Sequence, residues 1–245
     1  MRGRRITTLI TALAAAATVA LTGSVVGPVA SSDASAGRHQ WRADLDAAST
    51  AIPTAAQPAV QSQAKSLIRA RASNTKATAV AAVSSTDCAG CTGDATTLQV
   101  VYFDGSGPVL ADNVANAVSG CVGCGGSAVS VQVIIARKAD QLIVNNRALA
   151  LNLPGCTGCV TTADALQFVL VGGSRRDLSA ATKNTIGQLQ DVLAGRLATA
   201  AKAPKAQARA TARAETASIA DQLQAVLVKD TGSTTVQRNI DVRVG

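Results

Sequence analysis

Three copies of Cys-x-Gly-Cys constrain this chain more than any other feature. They are Cys88-Ala-Gly-Cys91, Cys121-Val-Gly-Cys124 and Cys156-Thr-Gly-Cys159, spaced by 33 and then 35 residues. Eight positions after each second cysteine stands a glutamine: Gln99, Gln132 and Gln167. Each glutamine sits inside an apolar, β-like run such as Thr97-Leu-Gln-Val-Val-Tyr-Phe103 or Ala165-Leu-Gln-Phe-Val-Leu-Val171. Before the second and third pairs stand Asn113-Val-Ala-Asn-Ala-Val and Asn146-Arg-Ala-Leu-Ala-Leu, with a looser Ala-alternating equivalent from Ala77. Agreement of Cys, Gly, Cys and Gln in register marks an internal repeat.

Each copy reads as strand, turn, strand. The glycine takes the turn position that needs positive φ in a type II or type I′ turn, where a side chain is costly. The two cysteines are then expected to face each other across the mouth of a hairpin. The expectation is an α+β fold: an antiparallel sheet of about six or seven strands, built from three Cys-x-Gly-Cys hairpin repeats. The second strand of each copy is apolar on both faces except for its glutamine, so both faces should be covered. The three glutamines are read as structural polar groups, satisfied by backbone or by one another.

Long C-terminal helices would do the covering. Residues 178–203 carry Ile186, Leu189, Val192, Leu193 and Leu197 on one stripe, Pro204 interrupts, and 205–229 resumes with Ile219, Leu223, Val226 and Leu227. A short helix is predicted over 58–72 from Val60, Ala64, Leu67 and Ile68. The tail from Thr235 to Val244 alternates with period two and predicts a last strand. The organisation that follows is a signal peptide over 1–36, a polar arm and short helix over 37–76, three hairpin repeats over 77–174, a helical pair over 175–232 and a strand over 233–245. Residues 77–245 form one domain in this reading.

The N-terminus has the pattern of an export signal. Arg2, Arg4 and Arg5 precede an apolar stretch from Ile6 to Val26, and Ala34-Ser-Ala36 closes it with small residues. Cleavage is expected near Ala36, leaving no transmembrane segment, and the chain is expected to be secreted or surface-held. Loss of the signal removes three arginines and Asp33, which lowers the formal net charge from +8 to +6. Only Trp41, Tyr102, Phe103 and Phe168 are aromatic, so the core must be built from Val, Leu, Ile and Ala.

The compartment bears on the six cysteines. Export favours disulfides, and an even count fits three local pairs. A ring of about four residues stabilises by only about 2 kcal/mol, but a staple at each turn pins register. The alternative is metal binding, with zinc as the cofactor, or thiol–disulfide redox chemistry at Cys88, Cys91, Cys121, Cys124, Cys156 and Cys159. In a meander, successive turns lie two strands apart, about 10 Å, too far for two pairs to share one zinc. Redox exchange needs a thiolate beside a helix N-terminus or a cation, and no pair precedes a helical pattern. The expected cofactor is therefore none.

Lys205, Arg209 and Arg213 recur every four residues, a spacing that usually marks a solvated helix face. They are also the candidate contact for an anionic surface, such as an anionic cell-envelope polymer or another envelope protein. Nucleic acid is excluded as a partner because no aromatic residues interleave these charges.

The Ala-x-Ala-x-Asn, Cys-x-x-Cys and Gln-Phe-Val pattern, repeated and followed by an Ala/Arg/Leu-rich helical pair, resembles a family of secreted actinobacterial Cys-x-x-Cys repeat proteins. The likeness covers about residues 77–229 and is strongest from Asn152 to Leu170. Members of that family are of unknown function, and some bear a label borrowed from peptide zinc metalloproteases. The resemblance implies export and architecture, and no activity. This chain has no His-Glu-x-x-His, and its single histidine is His39. Paired carboxylates such as Asp44 with Asp46, or Asp221 with Asp230, lie on polar segments. No catalytic constellation emerges, and the expected function is that of an exported, disulfide-stapled structural or interaction protein of the cell envelope.

Pairing within each motif is the first testable outcome. Digestion under non-reducing conditions should yield Cys88 joined to Cys91, Cys121 to Cys124 and Cys156 to Cys159, each with Cα atoms about 4.4–6.8 Å apart. A peptide joining Cys91 to Cys121 would refute it.

Overall fold

The computed structural model describes residues 43–70, 74–105, 107–137, 141–174, 177–233 and 235–245. The expected signal peptide and His39 fall outside them. From Ala43 the chain winds in coils, two strands to a coil. The strands are β1 (Ala43–Ala51), β2 (Ala59–Ala70), β3 (Thr75–Ser85), β4 (Thr92–Phe103), β5 (Pro108–Ser119), β6 (Gly125–Ala136), β7 (Gln141–Asn152) and β8 (Val160–Val171). Odd-numbered strands stack in parallel as one sheet and even-numbered strands as a second. Two helices follow, α1 (Ala180–Ala200) and α2 (Lys205–Thr231), and then β9 (Thr235–Val244), which joins the even sheet antiparallel to β8.

The architecture is thus a parallel β-solenoid of four coils with two helices, and the expected antiparallel sheet of hairpin repeats is incorrect. The turn explains why. Gly90, Gly123 and Gly158 have φ of 71°, 68° and 72°, as the motif predicts, but no described residue other than glycine has positive φ. That excludes type I′ and leaves type II, with the Cys91 and Cys124 N–H groups donating to the Cys88 and Cys121 carbonyls. Two-residue hairpin loops favour primed turns, whose twist matches the strands. A type II turn splays its flanks, so the strands on either side enter facing sheets instead of pairing.

The repeat also starts earlier than the cysteines. Strand β1 pairs along β3 and β2 along β4, in a first coil without a Cys pair. Its turn is closed by Thr54 and Gln57, which exchange backbone hydrogen bonds of 3.0 Å. The predicted helix over 58–72 is therefore the strand β2, and part of the predicted arm is β1. Val60, Ala64 and Ile68 satisfy a period of four and a period of two alike; the observed burial alternates with period two, and Leu67 is exposed.

Packing follows from the pleat. One face of the even sheet turns inward, where Ala95, Ala128, Ala163 and Ala165 meet Ala51, Ala81, Ala115 and Ala117 of the odd sheet. Such small side chains let the sheets approach closely. At Gly93 and Gly126 the approach is closest, since an added Cβ would lie 2.7 and 2.8 Å from a Val83 methyl. The other face carries Leu98, Val131, Val133, Leu166 and Phe168 against Ile186, Leu193, Leu197, Ile219, Leu223 and Leu227 of the helices. Both faces of β6 and β8 are covered, as predicted, and the helical pair and last strand lie where they were expected. Ser179 caps α1 by accepting from the Thr182 N–H (3.1 Å), and Gly232 ends α2 in the left-handed region.

Parallel, in-register coils place like positions side by side. Gln99 is opposite Gln132, Gln132 opposite Gln167, and Gln167 opposite Asn239. The amides form a ladder: Gln132 Nε2 donates to Gln99 Oε1 (2.7 Å), Gln167 Nε2 to Gln132 Oε1 (2.8 Å), and Asn239 Nδ2 to Gln167 Oε1 (3.1 Å). The same amides reach across the interior to the other sheet, as Gln132 Nε2 does to the Ala77 carbonyl at 3.0 Å. A shorter ladder runs from Asn113 to Asn146 (2.7 Å), with Ser130 donating to Asn113. All three glutamines are fully buried.

Gln132 is bonded on both sides, so Gln132→Ala breaks two rungs at once and leaves the Gln99 side-chain oxygen without its donor. Denaturant melts should show a loss of about 2–4 kcal/mol, more than for Gln99→Ala, which breaks one rung. Equal, small losses at both positions would show that the ladder adds nothing beyond packing.

Candidate functional site: the cysteine edge and the arginine-lined groove

The three Cys-x-Gly-Cys turns stack along one edge of the solenoid. Cα separations within the pairs are 5.5 Å for Cys88–Cys91, 5.4 Å for Cys121–Cys124 and 5.8 Å for Cys156–Cys159, which puts all three pairs at disulfide distance. The ladder of backbone hydrogen bonds continues through the turns. Gly90 N–H donates to the Val122 carbonyl (2.9 Å) and Gly123 N–H to the Thr157 carbonyl (2.8 Å). In each pair the second cysteine is buried and the first is half-exposed. The sulfurs of Cys156 and Cys159 lie 2.9 and 2.8 Å from the Cys121 carbonyl oxygen.

This stacking corrects the distance on which the zinc argument rested. Neighbouring pairs are one strand spacing apart, about 4.8 Å, and not two. The six cysteines form a single cluster. A sulfur in a disulfide is not the thiolate that zinc takes, so at each pair the staple and the metal ligand exclude one another. Each pair leads into a strand, β4, β6 or β8, and not into a helix.

The basic stripe divides. Lys205, Arg209 and Arg213 are all exposed on α2, but only the two arginines line a groove. That groove, of about 460 Å³, has Ala148, Leu149 and Ala150 of β7 on one side and Val242, Arg243 and Val244 of β9 on another. Arg209 reaches the Val244 carbonyl at 3.5 Å, and Arg243 pairs with Asp241 at 2.7 Å. Arg243 escaped the sequence reading because a lone arginine in a period-two tail gives no hint of what it faces. Asp221 and Asp230 are engaged apart from one another: Asp221 binds Arg238, and Asp230 accepts the Ser179 N–H at 2.6 Å. Asp46 is exposed on β1.

One titratable group went unnoticed in the sequence. Asp164 of β8 points toward α2, fully buried between Val129 and Val242 of the flanking strands. Thr216 donates to its Oδ2, while its Oδ1 has no partner. Burial pushes its carboxyl up to about 8; the Thr216 hydrogen bond opposes this, and the nearby Asp241 charge adds to it. The unfolded value is about 3.9, so between about pH 4 and 8 the folded state holds a proton that the unfolded state has lost. Stability should fall across that window by up to about 1.4 kcal/mol per pH unit. Asp164→Asn should flatten the decline, read from melting temperatures at pH 5, 6.5 and 8. A parent whose stability rises through this range would show that Asp164 is ionised when folded.

No family model, no curated protein and no solved structure matches this chain, so any functional reading rests on the cysteine edge and the groove themselves.

Proposed function

We propose that this chain is an exported, disulfide-stapled interaction protein of the cell envelope, meeting an anionic partner through the basic end of α2. The column of three cysteine pairs at disulfide distance carries this reading. Such bonds persist in oxidising compartments and are rare in reducing ones. The sequence supports export through Arg2, Arg4, Arg5 and the apolar stretch that follows. Among the described residues no helix is long and apolar enough to cross a membrane. The groove supports the anionic partner, since Arg209, Arg213 and Arg243 border it together. Arginine suits this role, with a planar fork that matches carboxylate or phosphate.

A second reading, metal binding or thiol exchange, draws on the contact between neighbouring pairs. Thiol counting and metal analysis on protein recovered from the medium separate the two. Bound disulfides with no metal favour the first, and free thiols with stoichiometric zinc favour the second.

The anionic contact has its own test. Changing Lys205, Arg209 and Arg213 together to Gln should leave the fold intact, because exposed charges contribute little to stability. The same change should release the protein from the cell surface, and added salt should release the parent, since exposed attraction is screened within about 10 Å at 0.1 M. Retention indifferent to both treatments would remove the electrostatic reading.

A further inference from the structure

The two sheets end unevenly. Strand β9 adds a fifth strand to the even sheet, while the odd sheet stops at β7. Beside β7, and opposite the inward face of β9, one strand position is therefore open among the described residues. The backbone groups that would pair there are identifiable. Ala148 N–H points away from β5 and donates to Asp241 Oδ2 at 2.9 Å. Backbone groups alternate sides along a strand, so Val144, Asn146 and Ala150 present theirs to the same opening. Two grooves of about 460 Å³ each follow this edge, one bordered by Val144, Asn146, Gln237 and Asn239, the other by the arginines. Together they run along β7 from Val144 to Ala150.

The size of the opening selects the occupant. A second copy of this chain, adding its β1 to β7, would bring its β2 to the level that β9 already fills, because β1 and β2 are the first strands of their two sheets. One strand fits and a whole coil does not. Charge selects further. Arg209 and Arg213 stand one helical turn apart, exposed, and neither forms an ion pair with a described residue. They lie where β7 runs toward the cysteine edge, so a strand parallel to β7 brings its C-terminal end to them. Asp241 on Ala148 N–H already displays how a carboxylate seats at this edge.

We propose that the slot beside β7 receives one extended polypeptide segment with an acidic C-terminal end, added as an edge strand and held at that end by Arg209 and Arg213. The proposal rests on the reading of the basic face as a contact surface, and it narrows the partner from any anion to a polypeptide strand. Backbone pairing supplies affinity in this mode, and the charged end supplies orientation.

The probe is a labelled synthetic peptide of β7's length, alternating Val and Thr and ending in Asp-Asp with a free carboxylate. Its control ends in Asn-Asn amide, and dextran sulfate serves as a polymer without a strand. The acidic peptide should bind the parent and slow amide exchange at Val144, Asn146 and Ala150. Arg209→Glu with Arg213→Glu, both exposed, should weaken binding about tenfold or more. Val144→Pro should weaken it strongly with the arginines intact, since an edge strand tolerates proline where its N–H faces outward. Equal binding of the amide control overturns the proposal, as does peptide binding without protection along β7. Binding of dextran sulfate alone also overturns it, while leaving the salt-sensitive surface contact standing.

Discussion

In-register stacking of equivalent positions is the constraint on which the rest of this structure depends. When parallel coils repeat at one strand spacing, every side chain meets its own counterpart above and below. A position must therefore hold a residue that packs well against itself. Alanine does so across the interior, where it also lets the sheets draw close, and valine, isoleucine and leucine do so beneath the helices. A buried amide satisfies the same condition through its own donor and acceptor. Each Gln gives a hydrogen bond to one neighbour and takes one from the other, so a row of three buried polar side chains becomes a continuous bonded column.

Stacks of this kind have ends, and the ends decide behaviour. Unpaired strand edges are templates for further pairing, and natural proteins cover or blunt them. Here β9 runs back antiparallel and closes the even sheet, with Asn239 terminating the glutamine column. The helices cover the outer face of β4, β6, β8 and β9. The odd sheet keeps an open edge at β7, where the only backbone donor taken up by a described side chain is that of Ala148. The arginines of α2 and β9 converge at the Ala148–Ala150 end of that edge.

The cysteine edge continues the backbone ladder through the turns. The first coil forms its turn without cysteines, through Thr54 and Gln57, so the bend does not require a disulfide. A disulfide at each pair would close a short ring and stabilise modestly through the unfolded chain. Its larger effect is on register, because a slip by one residue would turn every inward alanine outward. Asp164 works against this economy: a carboxyl buried beneath α2 ties the packing of helix on sheet to its protonation.

The sequence by itself determined the repeat, the positive-φ glycine in each turn, the closeness of the two cysteines within each motif, the coverage of both faces of the glutamine strands, the two helices broken at Pro204, and the closing strand. These are local or periodic properties, set by backbone sterics and by side-chain spacing. It also held an unused clue to the coil. Val122 and Thr157, β-branched residues at the second turn position, resist positive φ and so argue against a primed hairpin turn. Only the tertiary structure decided which strands pair, because a period of two reads alike in a hairpin and in a coil. It alone placed β2, whose Val60, Ala64 and Ile68 fit helix and strand equally, and set Asp164 against Thr216. It also brought Arg243, far along the chain, beside Arg209 and Arg213. Contacts of that range arise when the helices fold back over the sheet, and no spacing within the sequence encodes them.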